Sequence, residues 1–353
     1  MVRLVGGCGG IGRVRDGLVR DVGNGVRTRH LAGPGGPVGA HHARDAVPAE
    51  AGVEVLVRHR RSVDCLAHTG AGREGSVLPE GHVIHRLART LTAEFGGRPV
   101  QVASPQGRFA EAAALLDGTV LCGAEAVGKH LFVSFECDRV VWIHLGLIGK
   151  LQFGPSSELA SPETLRLRIA ANGVRADLRG PQWCRLITTA EKDAVAASSG
   201  PDPLRPDADP ERAWARIHRS GRPIGALLMD QAIAAGVGNI YRAEVLFRHR
   251  IDPWLPGREL GRATFDSVWS DLVELMPLGV RDGRIDTVED DHTPEAMGRP
   301  PRVDRHGGEV YVYRRAGDPC HVCGTEVARA DFHGRTLYWC PTCQLSGSAG
   351  TPR

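Results

Sequence analysis

The sequence predicts an α+β protein of several domains: a β-sandwich with a leading helix, then a helical domain, then a small four-cysteine module at the C-terminal end. Three observations predict it. An amphipathic helix pattern after Pro79 gives way to short apolar runs broken by turn residues, a Pro/Asp-rich stretch is followed by successive helical patterns, and two Cys-x2-Cys pairs come last. At 353 residues the chain exceeds one average domain, so two or three cores are expected.

Composition narrows the function class. A hydrophobic content of 42% with 24% charged residues is ordinary for globular chains. No apolar run is long enough to span a bilayer, and the opening residues lack a signal-peptide pattern, so the expectation is a cytoplasmic protein without membrane contact. The net charge of +3 does not argue for nucleic acid, because residues 1–77 hold eleven Arg against seven Asp or Glu, leaving the rest of the chain at about −1. Any nucleic-acid binding would therefore have to rest on local sites.

The elements follow in order. Residues 1–77 contain sixteen glycines, no lysine and no sustained period, which reads as a disordered extension rather than a packed domain. The helix after Pro79 places Ile84, Leu87, Ala88, Leu91 and Phe95 on one face, with His85, Arg86 and Arg89 off it, and Gly96 and Gly97 end it. His82 and His85 are read as structural. Short apolar runs at 131–135, 140–145 and 165–170 alternate with Gly, Asp and Pro turns, the texture of a β-sandwich or barrel. The stretch 200–211 reads as a linker. Helical patterns follow at 211–219, 224–235, 240–249 and 262–276, and a polar, irregular stretch from about 281 to 309 leads to the cysteines.

Cys320, Cys323, Cys340 and Cys343 form two equally spaced pairs, which in a chain without a secretory signal read as metal ligands before disulfides. Four thiolates match a closed tetrahedral site for one structural Zn2+, with no open position for catalysis. The turn between the pairs carries His333-Gly334-Arg335, a cation placed to meet a phosphate. In GVGNIYRAEVLF (236–247) two glycines turn the chain and Asn239 starts a helix, whose N-terminal amides offer an anion site; alone, this is more often a structural cap. Glu80, Lys129 and Leu147 likewise have ordinary readings in isolation: a first-turn acid, a solvated hairpin lysine and plain core.

Taken together, PEGHVIHRLA (79–88), GKHLF (128–132), HLGLIGK (144–150), the glycine turn around Asn239 and HGRTLYWCPTCQ (333–344) resemble the formamidopyrimidine-DNA glycosylase and endonuclease VIII family, most closely its actinobacterial endonuclease VIII-like branch. The likeness spans about 265 residues, with five motifs in order. It implies a catalytic β-sandwich domain at 79–199, a helix-two-turn-helix DNA-binding domain at 200–300, a zinc finger at 301–345 and a tail at 346–353. It also implies base-excision repair: a DNA glycosylase with AP lyase activity, monomeric and associated with the nucleoid, that acts on double-stranded DNA with a damaged base or an abasic site. Single-stranded DNA is a further expected partner.

Residue by residue, the resemblance makes Pro79 the nucleophile, because family members lose the initiator methionine and attack the sugar C1′ with the exposed proline amine. Glu80 becomes the acid/base for ring opening, and Lys129 the lysine near sugar and phosphate. Asn239 and Arg335 match the phosphate clamp. Leu147 matches the apolar residue that fills the hole left by the flipped base, and Arg179 lies where an arginine faces the unpaired partner base. An α-amino group, with a pKa of roughly 7.7–8.0, keeps an appreciable neutral fraction at cellular pH, which suits Schiff-base formation.

Two departures matter. Relatives that prefer oxidised purines carry a second glutamate where this chain has Val83, so oxidised pyrimidines are the expected lesions. Pro79 is internal, and an internal proline nitrogen is a tertiary amide without a nucleophilic lone pair. Leu78 is what a TTG or CTG initiation codon is written as in translation, so residues 1–78 are expected to be a non-native upstream extension. The competing reading is a zinc-dependent protein that binds damaged or abasic DNA without catalysis. A general zinc-ribbon module would leave PEGH and GKHLF unexplained.

Overall fold

The structure is a computed structural model that describes residues 79–158, 161–303 and 308–345. The expected extension (1–78) and tail (346–353) lie outside the described residues.

The leading helix α1 (Gly81–Phe95) forms where the 3.6-residue pattern places it, and Ile84, Ala88, Leu91 and Phe95 are buried. It ends at Gly96, followed by Gly97 at φ +71°. His85, expected off the buried face, is buried as well, because it turns towards Asp202 and not towards solvent.

Nine strands make two antiparallel sheets. They are β1 (Arg98–Pro99), β2 (Gln101–Ala103), β3 (Val120–Val127), β4 (His130–Phe135), β5 (Arg139–His144), β6 (Lys150–Pro155), β7 (Leu165–Ala171), β8 (Val174–Arg179) and β9 (Trp183–Ile187). One sheet runs β1-β3-β4-β5-β9 and the other β2-β7-β8-β6. Alternation along the strands sends Leu131, Val133, Val141 and Ile143 from the first sheet, and Leu167, Ile169, Ala176 and Leu178 from the second, into one core with the apolar face of α1. The expected sandwich with a leading helix is therefore present. A short helix α2 (Ala110–Leu116) follows β2, and α3 (Thr189–Ser198), opened by a Thr188/Glu191 capping box, follows β9.

The helical part contains α4 (Pro210–Ile217), α5 (Ile224–Leu227), α6 (Asn239–Arg248), α7 (Arg262–Asp282) and α8 (Pro294–Met297). The pattern at 224–235 yields only the four residues of α5. Asp230 stops it: its side chain accepts from the Ala232 amide, and Gln231 bonds the amide of Gly236 and the carbonyl of Val237. Of the expected apolar face, Ile224, Leu227 and Leu228 are buried at α5 and its C-cap, while Ala232 lies half-buried in the turn that follows. α7 runs six residues past its expected end, through Pro277 to Gly283 at φ +73°.

Buried Glu244 of α6 joins this core to the chain that follows. Its carboxylate accepts from Thr287 Oγ1 and from the amides of Tyr311, Val312 and Tyr313. The C-terminal hairpin, β10 (Ala328–Phe332) and β11 (Arg335–Trp339), turns through His333 and Gly334, both at positive φ, as a two-residue hairpin requires. Among the described residues no helix is long and apolar enough to cross a membrane.

Candidate active site

A cavity of about 510 Å3 is lined by Pro79, Glu80 and Lys129 together with Leu147, Asn239 and Arg335. Residues far apart in sequence meet there because α1 begins where α6 begins.

Glu80, 1% exposed, points its carboxylate at the N-terminus of α6. Its oxygens accept from the amides of Ile240 at 2.7 Å, Gly238 at 3.1 Å and Tyr241 at 3.4 Å. The helix-terminal anion site is thus filled by the protein's own carboxylate. Asn239 is the first residue of α6 and does not cap it; Gly238 holds the N-cap position and makes no side-chain cap. Contact this close needs a glycine: a Cβ on Gly238 would stand 2.2 Å from Cδ of Glu80. Gly81 donates to the Gly236 carbonyl at 2.8 Å and locks the two segments together.

Lys129 sits in the two-residue turn between β3 and β4, where Val127 pairs with His130 and Gly128 adopts φ +58°. The turn is held by Asp202, 2% exposed, which accepts from the Gly128 amide at 2.7 Å and bonds His85 Nε2 at 2.8 Å. Asp202 lies in the stretch read as a linker, so sequence reasoning missed it. An aspartate between two prolines looks like turn chemistry until the fold brings His85 and Gly128 to it.

Burial raises the Glu80 carboxyl above the usual range, against the pull of Lys129 and the three amides. Burial also lowers the Lys129 ammonium; Glu80 opposes this and Arg335 adds to it. Each group moves towards the range in which a proton is readily exchanged. His144, another lining residue, is lowered by burial and by Lys129, with a Gln182 hydrogen bond opposing. Its Nδ1 accepts from the Gly146 amide at 3.1 Å, which leaves Nε2 as the donor of the neutral ring.

Leu147 and Ile148 stand 50% and 70% exposed on a tight loop at the cavity edge. Arg335 is exposed at the start of β11. Asn239 bridges to the same strand, its Nδ2 donating to the Thr336 carbonyl at 2.9 Å. Arg179 does not join the group. Its guanidinium bonds Asp177, Thr164 and the Ser161 carbonyl, while its neighbours Gly180, Pro181 and Gln182 line the cavity.

The sulfurs of Cys320, Cys323, Cys340 and Cys343 all lie within 4.8 Å of one another. The Cys320–Cys343 and Cys323–Cys340 separations are 3.9 and 3.4 Å, close to the about 3.8 Å edge of a tetrahedron with Zn–S bonds near 2.3 Å. The donor set fits zinc.

Comparison with known proteins agrees with this geometry. The family model described as the formamidopyrimidine-DNA glycosylase N-terminal domain matches residues 78–182. The H2TH domain of the same glycosylase matches 199–290, and a zinc finger found in FPG and IleRS matches 317–345. Endonuclease 8 1 of Mycobacterium tuberculosis is 49% identical over 274 residues, covering 76% of this chain and 100% of its own. The formamidopyrimidine-DNA glycosylase of Thermus thermophilus is 32% identical over 276 residues, covering 76% and 98%. The solved complex of Lactococcus lactis Fpg with DNA containing an abasic site shares the fold, with a TM-score of 0.62 at 21% identity over 76% of this chain and 100% of that one. With three domain models matched in order and a relative aligned along its whole length, the chain belongs to the formamidopyrimidine-DNA glycosylase and endonuclease VIII family of DNA repair enzymes.

Proposed function

We propose that this protein excises oxidised bases, pyrimidines in preference to purines, from double-stranded DNA and cleaves the resulting abasic site through a Schiff base on Pro79. The observation that carries the reading is the convergence of Pro79, Glu80 and Lys129 in one cavity with Asn239 and Arg335 at its edge. The neutral secondary amine of Pro79 attacks C1′ and the N-glycosyl bond breaks, its electron pair leaving with the base. Glu80, whose carboxyl burial raises above the usual range, donates to the ring oxygen as the sugar opens. The proton that the amine loses goes to the departing base, and the nitrogen and C1′ share an iminium bond. That cation acidifies C2′–H, and transfer of this proton to Glu80, left as a carboxylate by its first donation, expels the 3′ phosphate; water finally hydrolyses the iminium and returns the amine.

The phosphates flanking the lesion are assigned to Asn239 and Arg335, and Leu147 to the space vacated by the flipped nucleotide, which offsets an unstacking cost of a few kcal/mol. One zinc ion bound by the four cysteines supplies rigidity, holding the hairpin that carries Arg335. Arg179 is assigned to the partner base, with Asp177, Thr164 and the Ser161 carbonyl bonding its guanidinium. The domain limits 79–199, 200–300 and 301–345 belong to this reading, as do the monomeric state and a place in the bacterial cytoplasm.

The mechanism requires a free Pro79 amine, by initiation at codon 78 and removal of that methionine, or by proteolytic cleavage. The test uses the chain beginning Met-Pro79 with duplexes carrying an oxidised pyrimidine or 8-oxoguanine. Release of the pyrimidine with strand cleavage, faster than release of 8-oxoguanine, is expected. Tight binding of abasic DNA with no base release or cleavage would instead establish the non-catalytic reading.

A further inference from the structure

Arg242 is buried to 1% exposure, yet among the described residues its guanidinium makes no ion pair with a carboxylate. It bonds the Asn239 side-chain oxygen and the Gly225 carbonyl at 3.2 Å, lies 5.5 Å over the Phe332 ring, and leaves Nε without a partner. A buried guanidinium that hydrogen-bonds no carboxylate, with Glu80 acting on it only through space, is costly to desolvate, so its retention asks for a reason other than stability.

We propose that Arg242 is a positioning residue that sets the orientation of the Asn239 carboxamide for phosphate binding. This rests on the reading of the protein as a DNA-binding glycosylase. Arginine can only donate and a backbone carbonyl can only accept. With Arg242 on one side and the Thr336 carbonyl on the other, the amide is fixed with oxygen towards Arg242 and nitrogen towards β11. One Nδ2 hydrogen is used by Thr336. The second is left to a cavity that Asn239 and Arg335 both line, where an anionic phosphate oxygen is the fitting acceptor. Because the amide oxygen receives a charge-assisted bond, its N–H is polarised into a stronger donor. The same chain of contacts, Arg242 to Asn239 to Thr336 and Arg242 to Phe332, ties the start of α6 to both strands of the hairpin, and so sets Asn239 relative to Arg335.

The test is a double-mutant cycle on the full chain, with binding read as Kd for a duplex carrying a tetrahydrofuran abasic-site analogue. Arg242→Met and Asn239→Ala should each weaken binding about tenfold, the worth of one hydrogen bond to a charged group. The double variant should be no weaker than Asn239→Ala, because Arg242 acts through that amide. Asn239→Asp keeps an oxygen for Arg242 but loses both Nδ2 donors, the one to Thr336 included, so it should bind no better than Asn239→Ala. Side-chain 15N resonances of Asn239 give a readout independent of DNA: exchange protection of the carboxamide should vanish in Arg242→Met. Penalties that multiply in the double variant, or an Asn239 amide unchanged without Arg242, overturn the proposal. Failure of wild type to prefer the abasic duplex over an undamaged one, with Asn239 protection still dependent on Arg242, overturns the DNA reading and the phosphate assignment with it, while leaving the orientation itself established.

Discussion

Gly238→Ala tests the packing that places Glu80. The glycine has extended backbone, φ −124° and ψ −162°, so alanine adds no backbone strain and the effect is steric. Its Cβ would stand 2.2 Å from Cδ, 2.4 Å from Cγ and 2.5 Å from Oε1 of Glu80, where ordinary contact is about 3.5–4.0 Å. The carboxylate must retreat by about 1 Å or more, and the bonds to the Ile240 and Gly238 amides, 2.7 and 3.1 Å, cannot both survive. Overpacking costs about 1–3 kcal/mol, and each buried amide left without an acceptor about 1–3 more. A loss of about 3–5 kcal/mol follows, or a Tm lower by roughly 10 °C. Displacement of the acid by 1 Å should also slow single-turnover cleavage about a hundredfold. Thermal melts and quenched-flow cleavage read both effects. In a Glu80→Ala background the added methyl meets no carboxylate, so Gly238→Ala should cost nothing further there. A Gly238→Ala protein with wild-type Tm and rate would refute the account of how α6 holds Glu80.

Three other outcomes are expected. Cys340→Ser should lose zinc and DNA affinity together while the sandwich stays folded, read by metal analysis, binding and circular dichroism; DNA affinity retained by metal-free protein would contradict this. Arg335→Ala should weaken binding to all lesions alike and lower the salt slope by about one phosphate equivalent; an unchanged slope removes Arg335 from the interface. Burial, helped by Arg86, pushes the His82 imidazole down to about 4 from 6.5, so the folded protein keeps it neutral where the unfolded chain takes up a proton. Its contribution to stability is complete above pH 6.5 and is lost as pH falls towards 4, with a slope of about 1.4 kcal/mol per pH unit. Urea melts at pH 7, 6 and 5 should show the decline and His82→Phe should flatten it; equal slopes would mean that folding leaves the proton affinity of His82 unchanged.

What was legible in the sequence was local or carried by spacing. The apolar face of α1 and the alternation in β4 and β5 are statements about neighbours along the chain, and the fold follows them. The cysteine pairs announce their site because both knuckles are short. Less legible were contacts made by closure over long separations. Glu80 reads as a first-turn acid of its own helix, and only the fold shows that it caps α6, 158 residues on. Asp202 reads as linker chemistry and becomes the anchor of the Lys129 turn. Arg242 stands inside the GVGNIYRAEVLF segment with no role of its own legible there, and only the fold shows it bonded to Asn239 one helical turn back. The 224–235 pattern misleads because Asp230 and Gln231 compete for the backbone, a choice that apolar periodicity does not record. Arg179 is assigned by resemblance alone, and its bonds to Asp177, Thr164 and the Ser161 carbonyl are contacts that no motif announces.

The central claim is that the Pro79 amine is the nucleophile. Borohydride reduction during reaction with abasic-site DNA converts an iminium into a permanent covalent bond. The chain beginning Met-Pro79, with its methionine removed, should be trapped, with the crosslink mapping to Pro79 by peptide mass. The uncleaved 353-residue chain, whose proline nitrogen is an amide, should not. Equal trapping of the intact chain, verified uncleaved by mass, would contradict the account and move the nucleophile to an amine already present, with Lys129 the one that lines the cavity.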